Sequence, residues 1–359
     1  MIQNMKLRNF KCFPELELEF SKFTILCGAN ASGKSTVIQA LLLAAGTEEQ
    51  NGGSLDINKI LGMAVGNAGA LVSQNPIELP DCNFEIELTC DSRQKDFKYT
   101  IDRLFPIRLQ YCCEDSDSFL QLQYLNAERT GPRISYPAGY DEKILSNGSN
   151  AAYLIEQADL SGRKISELLM LGKESQRFSY QAEQWMNVIL GDVNLSVKTD
   201  TGKAITDIKY GNALTDQAVW PTMTGFGISY ILSIVVAGLW CSAERNTVLI
   251  IENPEAHLHP RAQSTMGKFL QLLSETGTQV IVETHSEHII DGARIQAAYM
   301  KKTEELSVYF MEAAESQIIA RQIHISESGE LDDWPRGFFD QKKQDLRELL
   351  EIRRGHAGR

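Results

Sequence analysis

A short glycine-rich segment, set between a strand pattern and a helix pattern, constrains the fold of this chain more than any other feature. The segment reads Gly28-Ala-Asn-Ala-Ser-Gly-Lys-Ser-Thr36 and fits the spacing Gly-x-x-x-x-Gly-Lys-Ser/Thr. Glycines let the backbone turn so that its N–H groups point inward, and the following helix presents its positive end to the same place. Such a loop binds phosphate groups. The sequence therefore predicts nucleotide contacts from Gly28, Asn30, Ala31, Ser32, Gly33, Lys34, Ser35 and Thr36.

Two side chains of this loop have separate expected roles. Lys34 would reach the β and γ phosphates of a nucleotide, and the hydroxyl of Ser35 would bind a magnesium ion. ATP and Mg²⁺ are therefore the expected cofactors.

At ordinary residue frequencies, a chance match to this spacing occurs in roughly one chain of this length in a hundred. The strand before the loop and the helix after it make a chance match still less frequent.

The segments around the loop predict an α/β fold. Residues 23–27 are almost continuously apolar, as in a central strand covered on both faces. Residues 15–20 alternate acidic and apolar side chains, which predicts a half-buried strand in an antiparallel meander. Further strands are predicted at 84–88, 97–101, 306–311 and 318–325, and helices at 36–45 and over most of 155–190.

Composition narrows the classes of protein to which the chain can belong. At 359 residues it is long enough for one large domain or two moderate ones. A net charge of −12 argues against a protein that coats nucleic acid through bulk electrostatics, although a local basic groove is compatible with it. The 7 scattered cysteines predict neither disulfides nor a zinc site. Without an export signal or an apolar run of about 20 residues, we expect a cytoplasmic protein with no membrane contact.

An acidic segment, Glu252-Asn-Pro-Glu255, follows the apolar run 248–251. A carboxylate at the tip of a strand beside a phosphate loop can hold magnesium and polarise its bound water. We therefore predict Ser35 and Glu252 as metal ligands. Glu252 and Glu255 are both candidate catalytic residues.

A histidine follows the next apolar run, 279–282, in the segment Glu283-Thr-His285. The helix pattern between the two runs extends from Pro260 to Gly277, so the runs form a strand, helix, strand unit. A histidine just past the end of this strand can sense the γ-phosphate or orient the attacking water, and the order of the motifs along the chain supports this role for His285.

A second glycine-rich turn, Thr224-Gly-Phe-Gly-Ile-Ser229, precedes an apolar helix pattern that extends to Ala237. The N-terminus of a helix attracts anions, so this turn is a further candidate phosphate contact.

In their order along the chain, these four motifs resemble the ABC-type ATPases of the SMC and RecF kind, and within them the stand-alone ATPases related to the overcoming-lysogenization-defect (OLD) proteins. The resemblance covers residues 1–290. It implies a P-loop NTPase head with a mixed central sheet, an antiparallel β subdomain and a helical subdomain. We expect a head over residues 1–310, with an inserted lobe at about 110–220, and a small C-terminal domain over residues 311–359.

The resemblance also implies how such a head works. In this family two heads enclose two nucleotides, which implies an ATP-bridged homodimer or a higher homo-oligomer. Gly227 and Ser229 would then contact the γ-phosphate held by the partner head. The expected function is that of an ATP hydrolase that switches a separate effector protein, such as a nuclease, in defence against bacteriophage. Residues 329–341 are similar to a short C-terminal domain of unknown function attached to a subgroup of these ATPases.

One departure from the family pattern bears on catalysis. Asn253 occupies the position that generally supplies the water-activating glutamate. An amide does not accept a proton at neutral pH. Three alternatives stay open: slow hydrolysis, hydrolysis with Glu252, Glu255 or His285 as the base, and an ATP sensor that does not hydrolyse.

A DNA repair or recombination ATPase that itself clamps DNA is a further alternative. Its groove would be formed by Arg129, Arg133 and the basic tail that begins at Lys342.

Overall fold

The computed structural model describes residues 1–357 except 50–52, 62–64, 114–120, 139–142, 213–214, 245, 315–316, 334 and 336. Its elements are numbered along the chain. The strands are β1 (Ile2–Phe10), β2 (Phe13–Glu19), β3 (Phe23–Gly28), β4 (Ser54–Asp56), β5 (Phe84–Cys90), β6 (Arg93–Ile101), β7 (Arg108–Cys113), β8 (Gln121–Leu125), β9 (Ser135–Pro137), β10 (Asn194–Asp200), β11 (Ile205–Asn212), β12 (Thr215–Val219), β13 (Thr247–Glu252), β14 (Gln279–Thr284), β15 (Leu306–Ala314) and β16 (Gln317–Ile323). The helices are α1 (Lys34–Glu48), α2 (Ile57–Leu61), α3 (Ala151–Ser161), α4 (Phe178–Leu190), α5 (Phe226–Cys241), α6 (Pro260–Ser274), α7 (Glu287–Met300) and α8 (Gln341–Ala357).

The central sheet has the strand order β16-β15-β3-β14-β13-β8. Its strands run parallel from β15 to β8, and β16 pairs antiparallel with β15. The predicted mixed central sheet is therefore confirmed. Because β3, β13 and β14 are parallel, their carboxyl ends lie at one edge of the sheet, where α/β proteins bind ligands.

Both faces of the central sheet are covered by apolar side chains. Phe23 and Ile25 of β3 belong to a core built with α3 to α7. Leu26 points to the other face, into a core formed with α1 and the antiparallel sheet β2-β1-β5-β6-β7-β4. This arrangement confirms the prediction that residues 23–27 form a strand buried on both sides. In β2, Leu16 and Leu18 are buried between exposed glutamates, as the alternation predicted.

A smaller sheet, β10-β11-β12 with β9 beside β11, lies next to α3 and α4. The helical prediction for residues 155–190 is correct at both ends but not in the middle. α3 stops at Gly162, whose φ of 64° is left-handed and whose N–H caps the Ala158 carbonyl. A helix resumes at Phe178, after an irregular segment that contains one short 3₁₀ turn.

The C-terminal strands belong to the central sheet. β15 pairs with β3 from Leu306 to Met311, so the boundary expected at residue 310 would cut through a strand. β8, which lies inside the lobe expected at about 110–220, also belongs to this sheet. Beyond β16, Phe338 is buried and packs edge-on against Phe310, with ring centroids 5.4 Å apart. The division into a head and a C-terminal domain stays a proposal.

None of the described helices combines the length and the apolar character that a crossing of the bilayer requires.

Gly28 ends β3 at a point where a side chain does not fit. Its φ is 139°, a conformation that residues with a Cβ rarely adopt. Because β15 pairs with β3 up to Met311, a Cβ at this position would collide with the Met311 carbonyl oxygen. The start of the phosphate loop is therefore fixed by strand pairing as well as by the loop itself.

The substitution Gly28→Ala is expected to lower the free energy of unfolding by about 2–4 kcal/mol, because backbone strain and overpacking add. Denaturant unfolding without nucleotide measures this loss. Gly53→Ala is the matched control, since a Cβ there would meet the Tyr111 carbonyl oxygen at 3.8 Å, an ordinary contact. The control should change stability by less than about 0.5 kcal/mol. Equal losses in the two variants would contradict the close approach.

Candidate functional site

The phosphate loop connects β3 to α1 and leaves the start of the helix open to an anion. Gly33 forms the N-cap of α1 with a φ of 89°, and no described side chain caps the helix. Ala31 also has a positive φ, 61°. The helix start thus has the open geometry that the predicted phosphate contacts require.

Lys34 is folded back over its own loop. Its Nζ donates to the carbonyl oxygens of Gly28 at 3.2 Å and Ala29 at 2.8 Å. It also lies 3.8 Å from Oε1 of Glu283. Burial lowers the pKa of Lys34, and the charge of Glu283 opposes this shift. A phosphate group would give this buried cation a stronger partner than the two carbonyls.

Glu283, which the sequence reasoning did not select, is the acidic side chain that contacts the loop. Ser35 Oγ donates to its Oε1 and Oε2 at 3.2 and 3.0 Å. In the sheet, Glu283 pairs with Glu252 across β13 and β14. Burial and the charge of Glu252 raise the pKa of Glu283, while Lys34 and Ser35 lower it. The sequence carries the same signal at Glu283 as at Glu252, because each is a charged residue at the end of an apolar strand.

Glu252 is held by β8 and by the segment that follows it. Tyr124 Oη donates to its Oε1 at 3.1 Å, and the Ala127 N–H donates to its Oε2 at 3.2 Å. Burial raises the pKa of Glu252, and these hydrogen bonds with the charge of Arg129 oppose the rise. Glu252 therefore lies beside the site, but Ser35 contacts Glu283 and not Glu252.

Glu255 and His285 are linked directly. Glu255 accepts hydrogen bonds from Thr284 Oγ1 and from the His285 N–H, both at 2.7 Å. Burial and the positive charge of Lys34 lower the pKa of His285, while Glu255 raises it. The neutral imidazole is therefore favoured, and a neutral ring can accept a hydrogen bond from water. Glu255 positions the segment that carries this ring.

Asn253 has a structural reason for its residue type. Its φ is 45°, in the left-handed region that asparagine tolerates better than glutamate. Its N–H donates to the Glu283 carbonyl oxygen at 2.8 Å, and its own carbonyl accepts from Arg129 at 2.6 Å. The position after Glu252 is thus a tight backbone junction between the two acidic strand ends.

Arg129 lies inside the protein, at 3% exposure, and not on a groove surface. Its guanidinium donates to the carbonyl oxygens of Glu252 at 2.6 Å and Asn126 at 3.0 Å, and it lies 5.2 Å from the Tyr230 ring. Burial lowers its pKa to about 10. The suggestion that Arg129 contacts DNA is therefore wrong for this structure, whereas Arg133 is exposed. Arg129 holds the acidic end of β13 in place.

The second glycine-rich turn does open a helix, but its serine points inward. α5 begins at Phe226 after the N-cap Gly225, which is exposed. Gly227 packs so closely against the His257 carbonyl oxygen that a Cβ would lie 2.8 Å from it. Ser229 is buried and lines a small interior cavity with Tyr210. Gly225 and Phe226, and not the Ser229 hydroxyl, are thus the exposed part of this turn.

The site contains polar atoms that suit a bound nucleotide with its metal. Ser32 Oγ and Asn126 Oδ1 are buried without a hydrogen-bond partner among the described residues. Beside the loop, a cavity of about 660 Å³ is lined by Lys11, Cys12 and residues 69–70 and 72–75. Its volume is that of a small-molecule site. The open start of α1 and Lys34 therefore fit phosphates at the loop, and the cavity adjoins the start of α1 through Cys12, whose thiol lies 3.5 Å from Thr36 Oγ1.

The family comparison agrees with this geometry. A family described as an AAA ATPase domain matches residues 1–210 and 176–290. The chain belongs to this family. Residues 302–349 of the ATPase match a second family, described as a protein of unknown function, DUF3696.

The ATPase is similar to proteins named as OLD nucleases. The OLD nuclease of Thermus scotoductus is 24% identical over 346 residues, which cover 83% of this chain and 61% of that protein. The Old nuclease of Escherichia phage P2 is 43% identical over 49 residues, which cover 14% of this chain and 8% of that protein. The chain thus spans less than two thirds of the length of these relatives.

Solved SMC heads share the fold of the ATPase. An SMC head bound to the C-winged helix domain of ScpA has a TM-score of 0.55 at 14% identity, covering 91% of this chain and 98% of that chain. An Smc head with an extended coiled coil, bound to the C-terminal domain of ScpA derived from Pyrococcus furiosus, has a TM-score of 0.54 at 15% identity and covers 98% and 99%. The protein is therefore a member of the AAA ATPase domain family that has the fold of SMC heads and is similar in sequence to OLD nucleases.

Replacing Arg129 with Met should destabilise the ATPase by about 2–4 kcal/mol, because it removes charge-assisted hydrogen bonds from buried carbonyl oxygens. Arg133→Met is the matched control at an exposed position and should stay within about 0.5 kcal/mol of the native protein. Urea unfolding of both variants measures the difference. If Arg129→Met were as stable as the native protein, the guanidinium would not hold the end of β13.

Proposed function

We propose that this chain is a magnesium-dependent ATPase that binds and hydrolyses ATP, and whose ATP-bridged dimerisation switches a partner effector. One observation carries the proposal. The open start of α1, Lys34 and Ser35 meet the acidic ends of β13 and β14 and the ring of His285 at a single edge of the central sheet.

Binding would start at the phosphates. Oxygens of the β and γ phosphates would accept hydrogen bonds from the loop N–H groups, and Lys34 would leave the Gly28 and Ala29 carbonyls for them. Ser35 and Glu252 would hold a magnesium ion, which neutralises phosphate charge when bound. The nucleoside would occupy the cavity beside Lys11 and Cys12.

Hydrolysis would rely on the groups around the γ-phosphate. The neutral His285 ring would orient the attacking water, and Glu255 would keep the ring segment in place. Because Asn253 offers no carboxylate, the proton acceptor would be one of the neighbouring carboxylates, and we expect slow turnover. The same residue favours a second candidate function, an ATP sensor that binds nucleotide and dimerises without hydrolysis.

The effector part of the proposal rests on the relatives and on the C-terminal segment. Heads of this fold are seen bound to ScpA in the solved structures, and the curated relatives are named nucleases. In this chain a cavity of about 410 Å³ joins Glu255 and His285 to Phe339 and Lys342. We propose that the change between the nucleotide-free and the ATP-bound state is transmitted to a separate effector through the segment that carries Phe339 and Lys342. This effector would act in defence against bacteriophage. Cleavage of DNA by the purified chain with magnesium would contradict the separate effector.

Lys34→Ala tests nucleotide binding itself. It should weaken ATP binding at least about tenfold, because a charge-assisted phosphate contact is lost. Isothermal titration with ATP and Mg²⁺ measures the affinity. Lys22→Ala is the control, since this lysine lies before β3, at the opposite end from the loop, and pairs with Glu275 and Glu305. Native affinity in Lys34→Ala would exclude the proposed phosphate site.

Glu252→Gln tests the coupling of hydrolysis to assembly. It should lower ATP turnover at least about tenfold and keep nucleotide bound, so that a dimer or larger assembly accumulates with ATP. Phosphate release and light scattering measure the two effects. Glu85→Gln, a mostly buried glutamate paired with Arg8 in the antiparallel sheet, is the control and should resemble the native protein. Unchanged turnover together with an unchanged mass would refute this mechanism.

A further inference from the structure

Glu283 occupies the side of the phosphate loop on which a metal ion would lie. Both of its carboxylate oxygens accept the Ser35 hydroxyl, at 3.2 and 3.0 Å. Its Oε1 is also 3.8 Å from the Lys34 ammonium group. A single carboxylate therefore faces the two side chains of the loop that the proposed function assigns to the metal and to the phosphates.

Glu283 is better placed for this position than Glu252. Both oxygens of Glu252 already accept hydrogen bonds, from Tyr124 and from the Ala127 N–H. Its carbonyl oxygen is fixed by Arg129 at 2.6 Å. Glu252 is thus tied to β8 and to the segment after it, whereas Glu283 is tied to Lys34 and Ser35, the residues that the proposed function assigns to the phosphates and the metal.

The charges around Glu283 determine whether metal-free or metal-bound ATP is favoured at this site. Glu283, Glu252 and Glu255 lie close enough to influence one another, and the cations near them are Lys34, which faces Glu283, and Arg129, which acts on Glu252 and Glu255. An ATP molecule without metal would bring phosphate charge against the Glu283 carboxylate, and the two would repel each other. A divalent cation placed between them would be attracted to both.

We propose that Glu283 makes nucleotide binding by this ATPase dependent on a divalent cation. Without nucleotide, its carboxylate holds Ser35 and faces Lys34, so metal-free ATP is disfavoured. When ATP arrives with Mg²⁺, the carboxylate releases Ser35 to the ion and becomes an acidic residue on the metal side of the site. This inference rests on the proposed function and adds a residue and a selectivity to it.

The test compares ATP affinity in excess Mg²⁺ with ATP affinity in EDTA, by isothermal titration. Glu283→Gln keeps the size of the side chain and an oxygen that can accept the Ser35 hydroxyl, but it removes the charge. It should bind metal-free ATP about tenfold more tightly than the native protein and Mg–ATP less tightly, so that the ratio of the two affinities falls by more than about tenfold. Glu275→Gln is the matched control.

Glu275 suits this purpose because its side chain is similarly buried, with 8% of its surface exposed, and lies before β14 whereas Glu283 lies near the end of that strand. Glu275→Gln should keep the native ratio. A native ratio in Glu283→Gln would overturn the proposal, and so would a native protein that binds ATP equally well in Mg²⁺ and EDTA. A native protein that binds ATP in neither buffer would instead refute the proposed function.

Two further measurements guard against a folding defect. Thermal unfolding of Glu283→Gln without nucleotide checks that the variant is folded. If it is not, Glu283→Asp keeps the charge and withdraws it from Ser35 by one methylene, and its affinity ratio should fall part of the way. Spin-resonance titration with Mn²⁺ in the presence of ATP reads the metal directly. Weaker Mn²⁺ binding is expected in both variants, and native Mn²⁺ affinity would overturn the proposal.

Discussion

The parallel pairing of β3 with β14 on one side and β15 on the other is the constraint on which the site depends. It aligns the ends of β3, β13 and β14, so that the phosphate loop meets Glu252, Glu283 and His285 at one edge. It also presses the Met311 carbonyl against Gly28, which leaves no room for a side chain where the loop begins. Apolar side chains pack against both faces of this sheet, so the site is built on a close-packed, rigid core.

The electrostatics of the site follow from that alignment. Carboxylates that are far apart in sequence are brought together in a half-buried space, where burial raises the pKa of Glu252 and of Glu283. Lys34 faces this charge from one side, and Arg129 fixes the backbone of Glu252 from the other. The proposed preference for a ligand that brings both negative phosphates and a divalent cation rests on this arrangement. The family match to an AAA ATPase domain agrees with that preference.

Local patterns predicted much of the fold. The period of β2, the apolar runs of β3, β13 and β14, and the glycine spacing of the loop are short-range features, and each appears where the sequence placed it. The helical prediction for residues 155–190 was only partly correct, because Gly162 ends α3 with a left-handed turn. Ser229 faces inward, into a small cavity that it lines together with Tyr210 of β11. No local pattern reports such an arrangement.

The sequence by itself determined the phosphate loop, the acidic strand end at Glu252 and the order of the motifs, because each is written in adjacent residues. The tertiary structure decided which carboxylate contacts Ser35, that Arg129 is buried, and that Asn253 sits in a left-handed junction. These features depend on strand register, and register is set by the packing of the whole sheet. A charged residue at a strand end can therefore be recognised from the sequence, but the side chain that it contacts is known only once the pairing of the strands is known.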